Sequence, residues 1–170
     1  MAKADAELFK QSARRFASGV TVVTTQQDDL IYGLTVSAFS TLSIDPLLVL
    51  VCIRSGNRLT DMITGSGRFA VNILREEQRP VSQYFATPGR EPLEAARGFP
   101  DIPTVIDQSG APVIFGSLAY FDCEVQEFHA DGDHTIFIGS VVGAGAMDGA
   151  PLVYFDGNYR GVRDWEPAAT

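Results

Sequence analysis

The chain has 170 residues, 45% of them hydrophobic and 20% charged, and a formal net charge of −8. A chain of this length supports one domain, residues 1–170, able to bury its own core without staples. Its acidic balance excludes a nucleic-acid binder, since phosphates demand a basic surface. Cys52 and Cys123 each lie in an apolar run, as buried thiols of a reducing compartment do. Residues 1–7 (MAKADAE) hold no apolar signal core and no apolar run reaches membrane length, so a soluble, cytoplasmic protein is expected, with no membrane partner.

Along the chain, residues 5–17 carry Phe9, Ala13 and Phe16 at helical spacing, with Lys10, Arg14 and Arg15 on other faces. That spacing predicts an amphipathic helix. Gly19 ends it, and residues 20–25 (VTVVTT) begin β structure. Gln27, Asp28 and Asp29 form a turn, and residues 30–37 return as the second strand of a hairpin. Residues 39–43 extend the sheet, and residues 47–53 (LLVLVCI) read as a fully buried strand. Asn57 suits the N-cap of a helix whose apolar face carries Leu59, Met62 and Ile63. A strand over 68–74 and a helix over 78–86 follow, with Pro80 in the first turn.

Residues 87–112, punctuated by prolines and glycines, are expected to be an irregular lid or binding loop. Residues 117–128 then alternate. Ala119, Phe121, Cys123 and Val125 share one face, and Asp122, Glu124 and Gln126 share the other with Tyr120. A turn at 131–133 leads into 134–142, which makes a long hairpin, and 151–155 is a final strand. Gly143, Gly145 and Gly149 read as a strand-end turn and not as a dinucleotide fingerprint, because Pro151 stands where a helix should begin. Seven or more strands with two or three scattered helices are mainly β. They fit an antiparallel, Greek-key type barrel with peripheral helices, not a doubly wound sheet.

The chain lacks a Walker loop, a nucleophile elbow and an HExxH helix. Cys52, Cys123, His129 and His134 have no ligand spacing, so no metal site is expected. Three stretches remain. In residues 33–39 (GLTVSAF), Thr35 and Ser37 share one face and Ala38 keeps the wall low, which suits a flat polar ring or a plain strand with two surface hydroxyls. Residues 54–58 (RSGNR) join a buried strand to a helix N-terminus, either a phosphate seat or an ordinary capped turn. His134 opens an apolar strand, where it either meets a ligand or caps the hairpin.

Residues 16–24 (FASGVTVVT), 33–43 (GLTVSAFSTLS) with 45–47 (DPL), 51–57 (VCIRSGN), 68–74 (RFAVNIL), 132–139 (GDHTIFIG) and 151–155 (PLVYF) with Tyr159 and Arg160 occur in a telling order. The ordered set resembles the flavin reductase family, in particular the small reductase components of two-component monooxygenases. The resemblance covers about residues 8–162. It implies a split β-barrel, FMN-binding, usually a homodimer, with flavin in a shallow groove near the subunit interface. It also implies hydride transfer from NADH or NADPH to FMN or FAD, with reduced flavin leaving for a separate oxygenase. By position, Thr35, Val36, Ser37 and Ala38 would line the ring, with Ser43 close. Ser55, Gly56, Asn57 and Arg58 would hold the phosphate side, and His134 would meet the nicotinamide nucleotide. Phe85 and Phe99 are offered as stacking partners. The rival is a non-catalytic flavin- or haem-binding carrier on the same barrel.

Overall fold

The computed structural model describes residues 5–162. Helix α1 (Ala6–Ala13) precedes a short β1 (Ser18–Gly19), the hairpin β2 (Thr21–Gln27) and β3 (Leu30–Val36), and the pair β4 (Phe39–Ile44) and β5 (Leu47–Arg54). Next come α2 (Arg58–Ser66), β6 (Arg68–Ile73), α3 (Arg79–Ala86), β7 (Leu93–Glu94), β8 (Thr104–Ile106) and β9 (Pro112–Ile114). The long hairpin β10 (Ala119–Asp131) and β11 (His134–Ala146) is followed by β12 (Leu152–Phe155) and β13 (Asn158–Gly161).

Eight strands form one antiparallel sheet in the order β4-β5-β11-β10-β6-β2-β3-β7. Strand β12 pairs with both β1 and β13 in a smaller sheet, and β8 pairs with β9. The large sheet wraps on itself. Val23 and Tyr32 from one side share a core with Val49, Val51 and Ile53 from the other, and with Phe69 and Phe137 between them. Its edge strands β4 and β7 do not pair, so the barrel is split. Two-residue turns close the hairpins, with Asp28, Gly132, Asp156 and Gly157 all at positive φ, as such tight connections require.

Helix α2 plugs this barrel. Asn57 caps it, its side chain accepting from Thr60 N at 3.0 Å, and Gly67 ends it in the left-handed region at φ 70°. Leu59, Met62 and Ile63 are buried in the same core as Val51 and Phe137. Each buried aliphatic of this kind contributes about 1.5–3 kcal/mol. A second core lies on the other face of β2, where Val22, Ile31, Leu74 and Leu152 meet Phe85 of α3. Strand β2 is therefore buried on both faces, which is why its run 20–25 is apolar or threonine throughout.

Three expectations need correction. Helix α1 ends at Ala13, four residues early, and buries none of its side chains. Segment 87–112 is not a free lid: it contributes β7, β8 and β9, and Phe99 and Ile102 enter the second core. The same segment holds Asp122 of β10. The Asp122 side chain is fully buried and accepts hydrogen bonds from Ser109 N at 2.7 Å and from Ser109 Oγ. A buried carboxylate needs such partners, and here they pin the irregular segment to β10. The glycines at 143 and 145 likewise lie within β11, where the Asp107 and Tyr120 side chains pack over them.

Candidate functional site: a cleft beneath the first helix

A cleft of about 570 Å³ opens beneath helix α1. One wall is α1 and the turn after it, with Phe9, Lys10, Ala13, Arg14 and Phe16. The opposite wall is Ser37–Ser40 with Leu50 and Cys52 of β5, and Tyr154, Asp156 and Gly157 close one end. Local bonds build this arrangement. Strand β3 stops at Val36, and Ser37 and Ala38 form the connection to β4. The Ala38 carbonyl accepts from Cys52 N at 2.9 Å, which fastens that connection to β5. The carbonyl of Arg14 accepts from Asp156 N at 3.1 Å, and the Arg15 guanidinium meets the Asp156 carboxylate at 3.3 Å, so the end of α1 is latched over the cleft.

Ser37 and Ala38 are exposed on the cleft wall. Thr35 meets Ser37 in an adjoining recess of about 190 Å³ that Val20, Ala86, Tyr154 and Tyr159 also line. Its hydroxyl donates to the Ser82 carbonyl at 2.7 Å. Val36 turns inward: its side chain belongs to the barrel core and its carbonyl accepts from Thr21 Oγ1. That is the period-two alternation of a strand acting on the residue between Thr35 and Ser37. Ser43 sits half-buried on β4, beside an irregularity in its pairing with β5. Phe85 and Phe99 cannot stack on a ligand, because both are buried and pack edge to face at 4.9 Å.

The end of β5 and the start of β11 meet, and this unites two of the three sequence stretches. Arg54 stands directly opposite His134 in the antiparallel register. Ser55 N donates to the Asp133 carbonyl at 2.9 Å, and Ser55 Oγ lies 2.9 Å from Thr135 Oγ1. His134 Nδ1 is 2.7 Å from Asp133 Oδ1. This hydrogen bond, with the imidazole's charge and a smaller contribution from Arg54, holds the Asp133 carboxyl below its ordinary value. Gly56 turns at φ 70°. Asn57 is committed to its capping bond with Thr60 and a second to the Arg54 carbonyl at 2.5 Å.

Arg58 points elsewhere. Its guanidinium pairs with Glu91 at 2.5 Å and borders a separate hollow with Asp28 and Asp61. Arg54 follows Leu50 and Cys52 on the same face of β5, so by alternation it is the arginine on the cleft side. Burial raises the Cys52 thiol above its ordinary value and pushes Cys123 up to about 12, so neither is a thiolate nucleophile at neutral pH.

A family model described as a flavin reductase-like domain matches residues 13–163. The chain belongs to the flavin reductase family. A reductase subunit of a flavin-dependent monooxygenase, HsaB from Mycobacterium tuberculosis, is 37% identical over 99% of this chain and 87% of its own length. An NADH-dependent flavin reductase from a Rhodococcus species is 36% identical over 89% of this chain and 84% of its own. Among solved structures, BorF, the flavin reductase component of a bacterial two-component tryptophan halogenase, superposes with a TM-score of 0.84 at 31% identity. That match covers 92% of this chain and 98% of BorF.

The cleft of this flavin reductase suits a flavin on its own terms. Its volume lies in the range of small-molecule sites, and its lining is mainly apolar and aromatic with a few hydroxyls. Small residues at Ser37, Ala38 and Ser40 leave room for a flat ring to lie against backbone. Sequence reasoning set Arg54 beside Arg58 at the glycine turn but missed Tyr154 and the cleft-facing side of α1. Arg54 was accessible from the alternation of β5, whereas Tyr154 and α1 reach the cleft only through tertiary folding.

Proposed function

We propose that this protein is an NADH-dependent flavin reductase that passes hydride from the nicotinamide to FMN or FAD and releases reduced flavin to a separate monooxygenase. The flavin supplies the hydride-accepting ring when bound. The chain's own residues hold and orient the two ligands. Ser37 and Ala38 would present the ring edge with backbone and one hydroxyl, while Leu50, Cys52 and Phe16 cover its apolar surface. Ser55, Gly56 and Arg54 would take the phosphate side at the end of β5. His134, braced by Asp133, would donate a hydrogen bond to the nicotinamide nucleotide. No acid or base is required, since alignment of two stacked rings accounts for most of the acceleration in such a step.

The observation that carries this reading is the convergence of Ser37 and Ala38 with Cys52 in one cleft, while Arg54, Ser55 and His134 meet at the end of the same strand. The relatives support NADH as donor, since one is itself named an NADH-dependent flavin reductase. A homodimer that closes the groove belongs to the same proposal, as does a cytoplasmic location. The deciding assay follows NADH and NADPH oxidation in the presence of FMN and of FAD. Turnover with NADH and free flavin is the expected result. Flavin binding with no nucleotide oxidation in any of the four combinations would instead make the protein a carrier.

A further inference from the structure

Two nucleotide ligands in one site need two anion seats, and the end of β5 supplies one. The second is on α1. Lys10 and Arg14 both line the cleft, four residues apart on one helix face. Neither forms an ion pair among the described residues, although the chain carries a net charge of −8. The one carboxylate on the cleft wall, Asp156, is engaged by the neighbouring Arg15 at 3.3 Å. Helix α1 buries no side chain of its own, so packing does not explain its place over the cleft. The latch from Arg14 and Arg15 to Asp156 does hold it there.

We infer that Lys10 and Arg14 form a subsite for the diphosphate of a dinucleotide entering this cleft. At 1.5 Å of rise per residue, the two side chains leave the helix about 6 Å apart, close enough for both long cations to meet one anionic group. The diphosphate has two sources: FAD, whose ring-side phosphate would lie at the end of β5 and whose adenosine-side phosphate would meet α1, and the nicotinamide dinucleotide. A mononucleotide flavin carries one phosphate, seated at the end of β5, and offers nothing to α1. The inference rests on the flavin reductase reading, but it is read out by binding as well as by turnover.

The experiment uses the Lys10→Ala/Arg14→Ala double variant beside a charge-preserving Lys10→Arg/Arg14→Lys variant. Affinity for FMN and for FAD is measured by fluorescence titration, and KM for NADH is measured with FMN as acceptor. Both positions are exposed, so the fold should be retained, and circular dichroism checks it. The expected result is a loss of about 10- to 100-fold for one dinucleotide, the scale of one or two charge-assisted contacts. FMN affinity should stay unchanged and the charge-preserving variant should restore the loss. A fall in FAD affinity alone assigns the subsite to flavin, and a rise in KM for NADH alone assigns it to the nicotinamide nucleotide. FAD affinity and NADH KM both unchanged in the folded alanine variant would overturn the proposal, and so would equal losses for FMN and FAD. Wild-type protein that binds FAD but oxidises no nucleotide would defeat the reductase reading, while the FAD-against-FMN comparison would still decide the subsite.

Discussion

Arg54 and Arg58 stand four residues apart, and the helix start between them sends their charges to different places. Arg58 is spent on Glu91 in an exposed pair, an arrangement worth about 0–1 kcal/mol and sensitive to salt. Arg54 faces His134 across the β5–β11 ladder and has no carboxylate salt bridge among the described residues. A phosphate held at Ser55 and Gly56 would therefore draw on Arg54. Arg54→Ala is expected to weaken flavin affinity by about 1–3 kcal/mol, the range for a charge-assisted hydrogen bond. Arg58→Ala should move it by less than about 0.5 kcal/mol. Fluorescence titration of FMN against both variants tests this, and a larger loss for Arg58→Ala would shift the phosphate side to the start of α2.

At the level of elements, the sequence pattern identified most strands from their own alternation and apolar runs, even where, as for β5 and β6, the partners lie far along the chain. The hairpins β2–β3 and β10–β11 follow from alternation and from two-residue turns, and α2 follows from Asn57 and its apolar face. Segment 87–112 was opaque for a physical reason: Phe99, Ile102 and Ser109 find their partners in Phe85 and Asp122, across the fold. The same limit applied to the site, where Ser37 and Ala38 were legible from small size and position but α1 and Tyr154 were not. Glycine at 139 has a meaning that no local pattern carries. A Cβ there would come within 2.5 Å of Phe69 Cζ and 2.9 Å of Cys123 Cβ, both fully buried residues, so β11 passes β10 and β6 at a distance only glycine permits. Gly139→Ala is expected to cost about 1–3 kcal/mol by overpacking. Urea unfolding should show an earlier midpoint with an unchanged slope. A midpoint equal to wild type would mean that Phe69 yields without strain.

For the whole molecule, the telling feature is the number of large apolar side chains left on the surface. Ile44 is 87% exposed, Phe16 80% and Phe9 73%, and Leu42 and Leu47 lie beside Ile44 on β4 and β5. Strand β4 is also a sheet edge, with its outer backbone groups unpaired. A monomer seldom leaves so many large apolar side chains together beside an open edge. A second copy is the proposed cover, because β4 begins at the cleft with Phe39 and Ser40, beside the exposed Phe9 and Phe16 of the α1 wall, and runs on to Leu42 and Ile44. A stable dimer needs about 800 Å² buried on each partner, and an apolar edge with a flanking helix can supply that. Sedimentation velocity at micromolar concentration is expected to show a homodimer. Ile44→Asp with Leu47→Asp, placed opposite each other in the β4–β5 register, should shift the protein to monomer. If the groove is completed by the partner, that monomer should keep its circular dichroism spectrum and lose flavin affinity. A folded monomeric variant with wild-type turnover would show that each cleft works alone and that the exposed side serves something other than self-association.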